Sequence, residues 1–274
     1  MKLLFSEAQA DYAHYIFPYA IWAFPEPGET PADLFNAGFL PSSLNLDRFY
    51  LCRQVRVKLA TFRPSSENRR ILRKGADLTV ELVPRATFEY TPARREFCLR
   101  YAAAKFGPHV MPGERLDALF AAPLVTHLLV FRDAAAGREV GVATLYLEPP
   151  ALAFYYYAFY DLACPVHSLG MFMMTAAVKL FAERGLAHVY LGSCYSENAR
   201  YKTQFTGAEF FNGFRWSDNP AELKYLLRRG QTVPSEHLLE CAEYRERFYT
   251  GSLDAIRAAS PFVVALKPGA GGSQ

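Results

Sequence analysis

No apolar run in the sequence is long enough to cross a membrane. The longest windows, around Met171–Val178, fall short of the roughly 18 residues a span requires. Cysteine is sparse: five residues at positions 52, 98, 164, 194 and 241, with no C-x-x-C pair. An odd number of scattered thiols argues against a disulfide framework and against a closed zinc site, and fits a reducing compartment. The apolar stretch at Leu3-Leu4-Phe5 is too short for a secretory signal, and Glu7 follows at once. A soluble, cytoplasmic protein is expected. Charge of one sign is also in short supply, since 30 Lys and Arg stand against 27 Asp and Glu for a net +3. That balance alone demands no nucleic-acid partner. There is no internal repeat.

What is present is enough apolar material for a large core. Hydrophobic residues make up 51% of the 274 and charged residues 21%, which suits one large or two smaller globular domains without staples. The charge is unevenly spread. From Arg48 to Lys74 there are nine basic residues and one acid, Glu67. Such asymmetry is a phosphate footprint if the side chains share a face, and a solvated surface otherwise. Aromatic residues gather in the first fifty positions and in the run Phe154-Tyr155-Tyr156-Tyr157.

Residues 1–46, punctuated by Pro25-Glu26-Pro27-Gly28 and Gly38-Phe39-Leu40-Pro41, read as short irregular elements with a strand or two. Val55, Val57 and Leu59 alternate with Arg56 and Lys58, the pattern of a half-buried strand with a basic outer face. Ser65 before Ser66–Lys74 and Gly75 after it predict a short capped helix. Leu78–Pro84 reads as a strand, and Thr91–Lys105 and Arg115–Phe120 as helices. His127–Arg132, Gly141–Leu147 and Leu152–Phe159 suit an antiparallel meander. A buried helix runs from Leu169 to about Arg184, closed by Gly185, and His188–Gly192 is the next strand. Helices are expected again at Glu222–Arg229, Glu236–Tyr249 and Leu253–Ala258. The division expected is 1–90 as a basic N-terminal region, 91–265 as the main domain and 266–274 as a disordered tail.

Antiparallel strands followed by strand, tight turn, long helix and strand resemble the N-acetyltransferase (GNAT) fold. The resemblance implies an α/β (α+β) architecture with a mixed, mostly antiparallel sheet and covering helices. In that fold the turn before the helix cradles coenzyme A pyrophosphate on backbone N–H groups. The matching segment is His167-Ser168-Leu169-Gly170-Met171-Phe172, in which Phe172 occupies a place usually held by Gly or Ala. Its bulk argues against coenzyme A bound in the usual way.

A narrower resemblance rests on four ordered landmarks: Phe159-Tyr160-Asp161, Ser168-Leu169-Gly170, Tyr190-Leu191-Gly192 and Tyr201-Lys202-Thr203-Gln204-Phe205. Together with the basic segment Ser65–Arg73, these resemble the arginyl/leucyl-tRNA–protein transferases over roughly residues 48–75 and 126–206. The resemblance implies transfer of an amino acid from the tRNA 3′ ester to an N-terminal α-amine, with aminoacyl-tRNA as co-substrate and no separate cofactor; without the family's cysteine pairs no bound metal is expected. The N-terminal cysteine pairs of the family are missing, Cys52 alone being near such a place, and Ser193–Arg200 is shorter than its counterpart without the usual C-x-K-M. Two other functions fit the same fold: a coenzyme A-dependent N-acyltransferase, and a tRNA- or peptide-binding module without catalysis.

An aminoacyl ester is already activated and an N-terminal amine has a pKa near about 8, so the reaction needs positioning and oxyanion donors more than a strong base. Asp161, at the end of the tyrosine-rich strand, is the candidate to hold or deprotonate the incoming ammonium, or else a turn-forming aspartate. Tyr160 either orients the ester or is a core tyrosine with a satisfied hydroxyl. Ser168 and Gly170 open a helix whose N–H groups can take an oxyanion, and Ser168 is also a natural N-cap. Tyr157, Tyr190, Arg200, Tyr201 and Lys202 are the candidate substrate contacts. Lys202, with Arg200, faces either tRNA phosphate or an acidic first residue of the acceptor. Arg53, Arg56, Arg69, Arg70, Arg73 and Lys74 are the candidate tRNA contacts. His127 and His167 stand alone and read as structural.

Overall fold

Val55 and Val57 point inward with no exposure, as their alternation requires, and the strand that carries them is central to a sheet of eight. The computed structural model describes residues 1–166, 168–232 and 236–263; the tail segment 266–274 and His167 lie outside the described residues. The strands are β1 (Lys2–Glu7), β2 (Tyr19–Phe24), β3 (Phe39–Pro41), β4 (Phe49–Leu51), β5 (Gln54–Lys58), β6 (Leu78–Pro84), β7 (His127–Asp133), β8 (Glu139–Glu148), β9 (Leu152–Tyr160), β10 (His188–Ser193), β11 (Ala208–Phe211) and β12 (Trp216–Ser217). The helices are α1 (Pro31–Asn36), α2 (Ser66–Lys74), α3 (Pro92–Phe106), α4 (Gly113–Ala121), α5 (Leu169–Glu183), α6 (Pro220–Arg229), α7 (Ala242–Tyr249) and α8 (Leu253–Ala259).

The large sheet runs β12-β11-β5-β10-β9-β8-β7-β6, and every pairing in it is antiparallel except β9 with β10. That one parallel pair is joined by the crossover helix α5, as a parallel connection requires. The mixed, mostly antiparallel sheet with covering helices is the acetyltransferase-like architecture expected from the order of elements. Helix α5 is apolar nearly all round because it is covered on both sides, by the sheet and by α2. The close approach of α2 depends on Gly75, where a Cβ would sit 2.4 Å from the Phe172 ring. Ser65 caps α2 by accepting from the Asn68 N–H while the Asn68 side chain accepts from the Ser65 N–H.

Three expectations need correction. The first fifty residues are more regular than their punctuation suggests: β1 and β2 form a hairpin, and with β4 and β3 they make a second, four-stranded sheet. A boundary at 90 runs through the large sheet, since β5 and β6 hydrogen-bond to β10 and β7. The helix expected over 236–249 begins only at Ala242. Strands β11 and β12 were not legible in the sequence. They extend the sheet beyond β5, and the fully buried Glu222 ties that edge to α6 and α7 by accepting from Ser217, Asn212, Tyr244 and Tyr249. Among the described residues no helix is long and apolar enough to cross a membrane.

Candidate active site

Two irregularities in β9 and β10 create the site. The strands pair only from His188 with Leu152 to Tyr190 with Phe154, and beyond that point they part. β10 stays with β5 through a bulge at Gly192, which has a φ of +82°. β9 stays with β8 but carries a bulge of its own: Ala143 opposes Ala158 while Leu145 opposes Tyr155, so Tyr156 and Tyr157 together face the single residue Thr144. The Thr144 hydroxyl accepts from the Tyr157 N–H at 3.1 Å, satisfying the group the bulge displaces. The extra residue reverses which positions face α5. Ala153 and Tyr155 do so before the bulge, Ala158 and Tyr160 after it, while Phe154 and Phe159 pack on the other side.

The splayed strands and the first turns of α5 enclose a cleft of about 660 Å³. Tyr155, Tyr157, Tyr160, Tyr101 from α3 and Tyr201 supply much of its wall, with Met171, Met174 and Leu191 as an apolar side. Gly170 is required there: a Cβ would stand 2.9 Å from the Tyr160 ring and hydroxyl, which pack onto the helix start. Ser168 takes a left-handed conformation, φ +68°, and its carbonyl accepts from the Met171 and Phe172 N–H groups. Its side chain makes no capping bond, so the N-cap expectation holds for its position and not for its hydroxyl. A left-handed serine costs about 1 kcal/mol or more and is held there by the surrounding fold.

Lys202 is the one charged residue among the described residues lining the cleft. A 3-10 segment over Glu197–Thr203 carries it across the end of β10, where its ammonium donates to the Ser193 carbonyl at 2.8 Å. Burial lowers its pKa from the ordinary lysine value, with nearby Cys194 and Cys52 opposing. Burial, with Tyr201 and Tyr160 beside it, raises that of the Tyr155 phenol. Burial, with Tyr160 beside it, does the same for Tyr101.

Of the sequence candidates, Tyr157, Tyr160, Ser168, Gly170, Tyr201 and Lys202 converge on this cleft. Others do not. Asp161 turns to Arg138, whose guanidinium lies 2.7 Å away, and accepts from the Ala163 N–H; the Arg138 hydrogen bond holds its carboxyl below the usual range. This is the turn-forming geometry. Tyr190 is wholly buried on the opposite face of the sheet and donates to Asn36 of α1. Arg200 pairs with Glu197 on the surface beside the cleft. Arg56 is paired with Glu209 and stacked on Trp216 at 3.9 Å, and Arg53 is largely enclosed beside the Tyr195 ring, so neither joins an exposed basic face. Arg69, Arg70, Arg73 and Lys74 are exposed on α2, with Arg70 engaged by Glu67. The Phe172 ring points away from the cleft, onto Gly75 and Phe131, so its bulk does not block the helix start. Tyr155, Tyr101, Met171 and Met174 were not singled out in the sequence. The tyrosine run was the only signal, and the bulge that selects among its members was not readable.

The profile described as arginine-tRNA-protein transferase, C terminus, matches residues 100–212, which include the cleft strands, α5 and the Lys202 segment. The aspartate/glutamate leucyltransferase of Pseudomonas fluorescens (strain SBW25) is 32% identical over 196 residues, covering 68% of this chain and 81% of that protein. The protein of the same name from Rhizorhabdus wittichii is 30% identical over 179 residues, 60% of this chain and 65% of its own length. Among solved structures, L-PGS from Bacillus licheniformis aligns over 52% of this chain and 46% of its own at 12% identity and a TM-score of 0.39, too loose a likeness to bear on the site. The four landmarks around the cleft, the matched profile and a relative covered over four-fifths of its length agree: the chain belongs to the arginyl- and leucyl-tRNA–protein transferase family.

Proposed function

We propose that the chain transfers a leucyl group from leucyl-tRNA to the α-amine of a protein beginning with Asp or Glu. The observation that carries this reading is the make-up of the cleft, one half-buried lysine among aromatic and apolar residues. A leucyl side chain is matched by Met171, Met174 and Leu191. An arginyl donor would bring a second cation beside Lys202, a costly arrangement in a partly dehydrated site. The acceptor's acidic side chain finds its counter-charge in Lys202. The names of the curated relatives support the same donor and acceptor.

The activated ester supplies the driving force, so the scheme calls for no cofactor beyond aminoacyl-tRNA. The cleft's work is to seat the amine against the ester carbonyl and to exclude water. The exposed basic residues of α2, which packs on α5, are the proposed phosphate contacts, and the place of action is the cytoplasm, where charged tRNA is found. The test is transfer of labelled leucine from leucyl-tRNA to peptides beginning with Asp, Glu or Lys. Product on the first two and little on the third is expected. No product on any, from folded protein, overturns the reading.

A further inference from the structure

Tyr155 carries a buried polar group without a partner among the described residues. Its residue is 4% exposed and lines the cleft, and its hydroxyl makes no hydrogen bond with any described residue. A buried hydroxyl in that state costs about 1–3 kcal/mol. Phenylalanine would avoid the cost, and β9 already carries phenylalanine at positions 154 and 159. An unpaired donor kept at the expense of stability, in the wall of a reaction cleft, implies an acceptor that arrives with the substrate. The bulge at Tyr156 and Tyr157 puts Tyr155 on the same face as Tyr160, which packs on the start of α5. Burial also keeps the phenol protonated, and so able to donate, well above neutral pH.

We propose that the Tyr155 hydroxyl is a catalytic hydrogen-bond donor to the ester carbonyl oxygen of the aminoacyl group. The assignment rests on the aminoacyl-transfer reading given above. The acceptor's amine nitrogen bonds to the carbonyl carbon, and the π pair of the C=O moves onto oxygen, where the Tyr155 O–H meets the developing negative charge. When that pair returns, the bond to the tRNA 3′ oxygen breaks. The released oxygen takes up the proton that the nitrogen gives up, leaving a peptide bond and a free 3′ hydroxyl. Tyr155 itself neither gains nor loses a proton overall.

The test is Tyr155→Phe, with kcat, KM for both substrates and Tm measured beside the unaltered protein. The expected kcat is about 100-fold lower, the size of effect seen when one oxyanion donor is removed. The expected KM values are unchanged and the Tm is equal or higher, because an unsatisfied buried hydroxyl has gone. An unchanged kcat overturns the assignment. So does a fall in activity accompanied by a lower Tm, which would make Tyr155 a packing residue, or a change confined to KM. If the unaltered protein transfers nothing, the aminoacyl-transfer reading fails and takes this assignment with it; if it transfers and Tyr155→Phe matches it, only the assignment fails.

Discussion

Lys202 is a charged residue half withdrawn from solvent. The Ser193 carbonyl takes one of its three N–H donors, and the remainder, without an acceptor among the described residues, can meet a carboxylate in the cleft. A charge-assisted hydrogen bond contributes about 1.5–3 kcal/mol, so Lys202→Met is expected to lower kcat/KM for an Asp-initiated peptide roughly 10- to 100-fold while tRNA affinity holds. The pH profile carries the same information. Activity should climb as the acceptor amine loses its proton near about pH 8. It should fall again below the ordinary lysine value of 10.5, because burial lowers the pKa at which Lys202 loses its charge. In Lys202→Arg that descending limb should disappear, since guanidinium stays charged throughout; its persistence would assign the limb to another group. Asp161 offers a contrast. Held by Arg138 and the Ala163 N–H, it belongs to the turn after β9. Asp161→Asn should leave transfer nearly intact and cost no more than about 1 kcal/mol of stability. Because Asp161 has a depressed pKa when folded, its contribution is present above the ordinary value of 3.8 and lost as pH falls through the folded one. The stability difference measured by denaturant should therefore narrow in acid.

At the level of the element, one inserted residue in β9 decides which tyrosines line the cleft. Thr144 is the residue that stabilises it, fully buried and accepting from the Tyr157 N–H. Thr144→Val keeps the shape and removes the acceptor, leaving a buried N–H unpaired at about 1–3 kcal/mol. Loss of both stability and transfer is expected, with Thr144→Ser retaining both. A stability loss without any effect on transfer would detach the bulge from the site. The bulge also marks where sequence reading ended. The apolar run correctly indicated a strand over 152–159, but a period of two assigns Tyr155, Tyr157 and Phe159 to one face, whereas the fold turns Phe159 away and brings Tyr160 in. Signals that act locally were legible: Ser65 as a cap, Gly75 and Gly185 as stops, and the closed run of α5. Arg56 and Tyr190 show the complementary limit. Alternation states which face a side chain takes, and says nothing of what will cover that face; here α1 and β12 do so through Asn36 and Trp216.

Across the whole molecule, the basic stretch that looked continuous in the sequence is divided by the fold. Arg53 and Arg56 are half-buried and engaged by Tyr195 and Glu209, while Arg69, Arg73 and Lys74 remain exposed on α2 beside the crossover helix. Reversing Arg69 and Arg73 to Glu is expected to weaken tRNA binding and to reduce the slope of log affinity against log salt by about 1.5–2, without altering Tm. An unchanged slope would move the phosphate contacts elsewhere. The fold class and the order of the landmarks could be read from spacing because both follow from contacts between neighbouring elements. The cleft could not, because it depends on where two strands part and on side chains brought over them from α3 and from the segment that carries Tyr201 and Lys202.

The most direct measurement offers the protein a choice. An Asp-initiated peptide, a full pool of charged tRNAs and an acyl-coenzyme A are supplied together, and the peptide is weighed by mass spectrometry before and after. A single added leucine, absent when tRNA is withheld, is the expected result. Addition of arginine, acyl transfer from coenzyme A, or an unmodified peptide would contradict it.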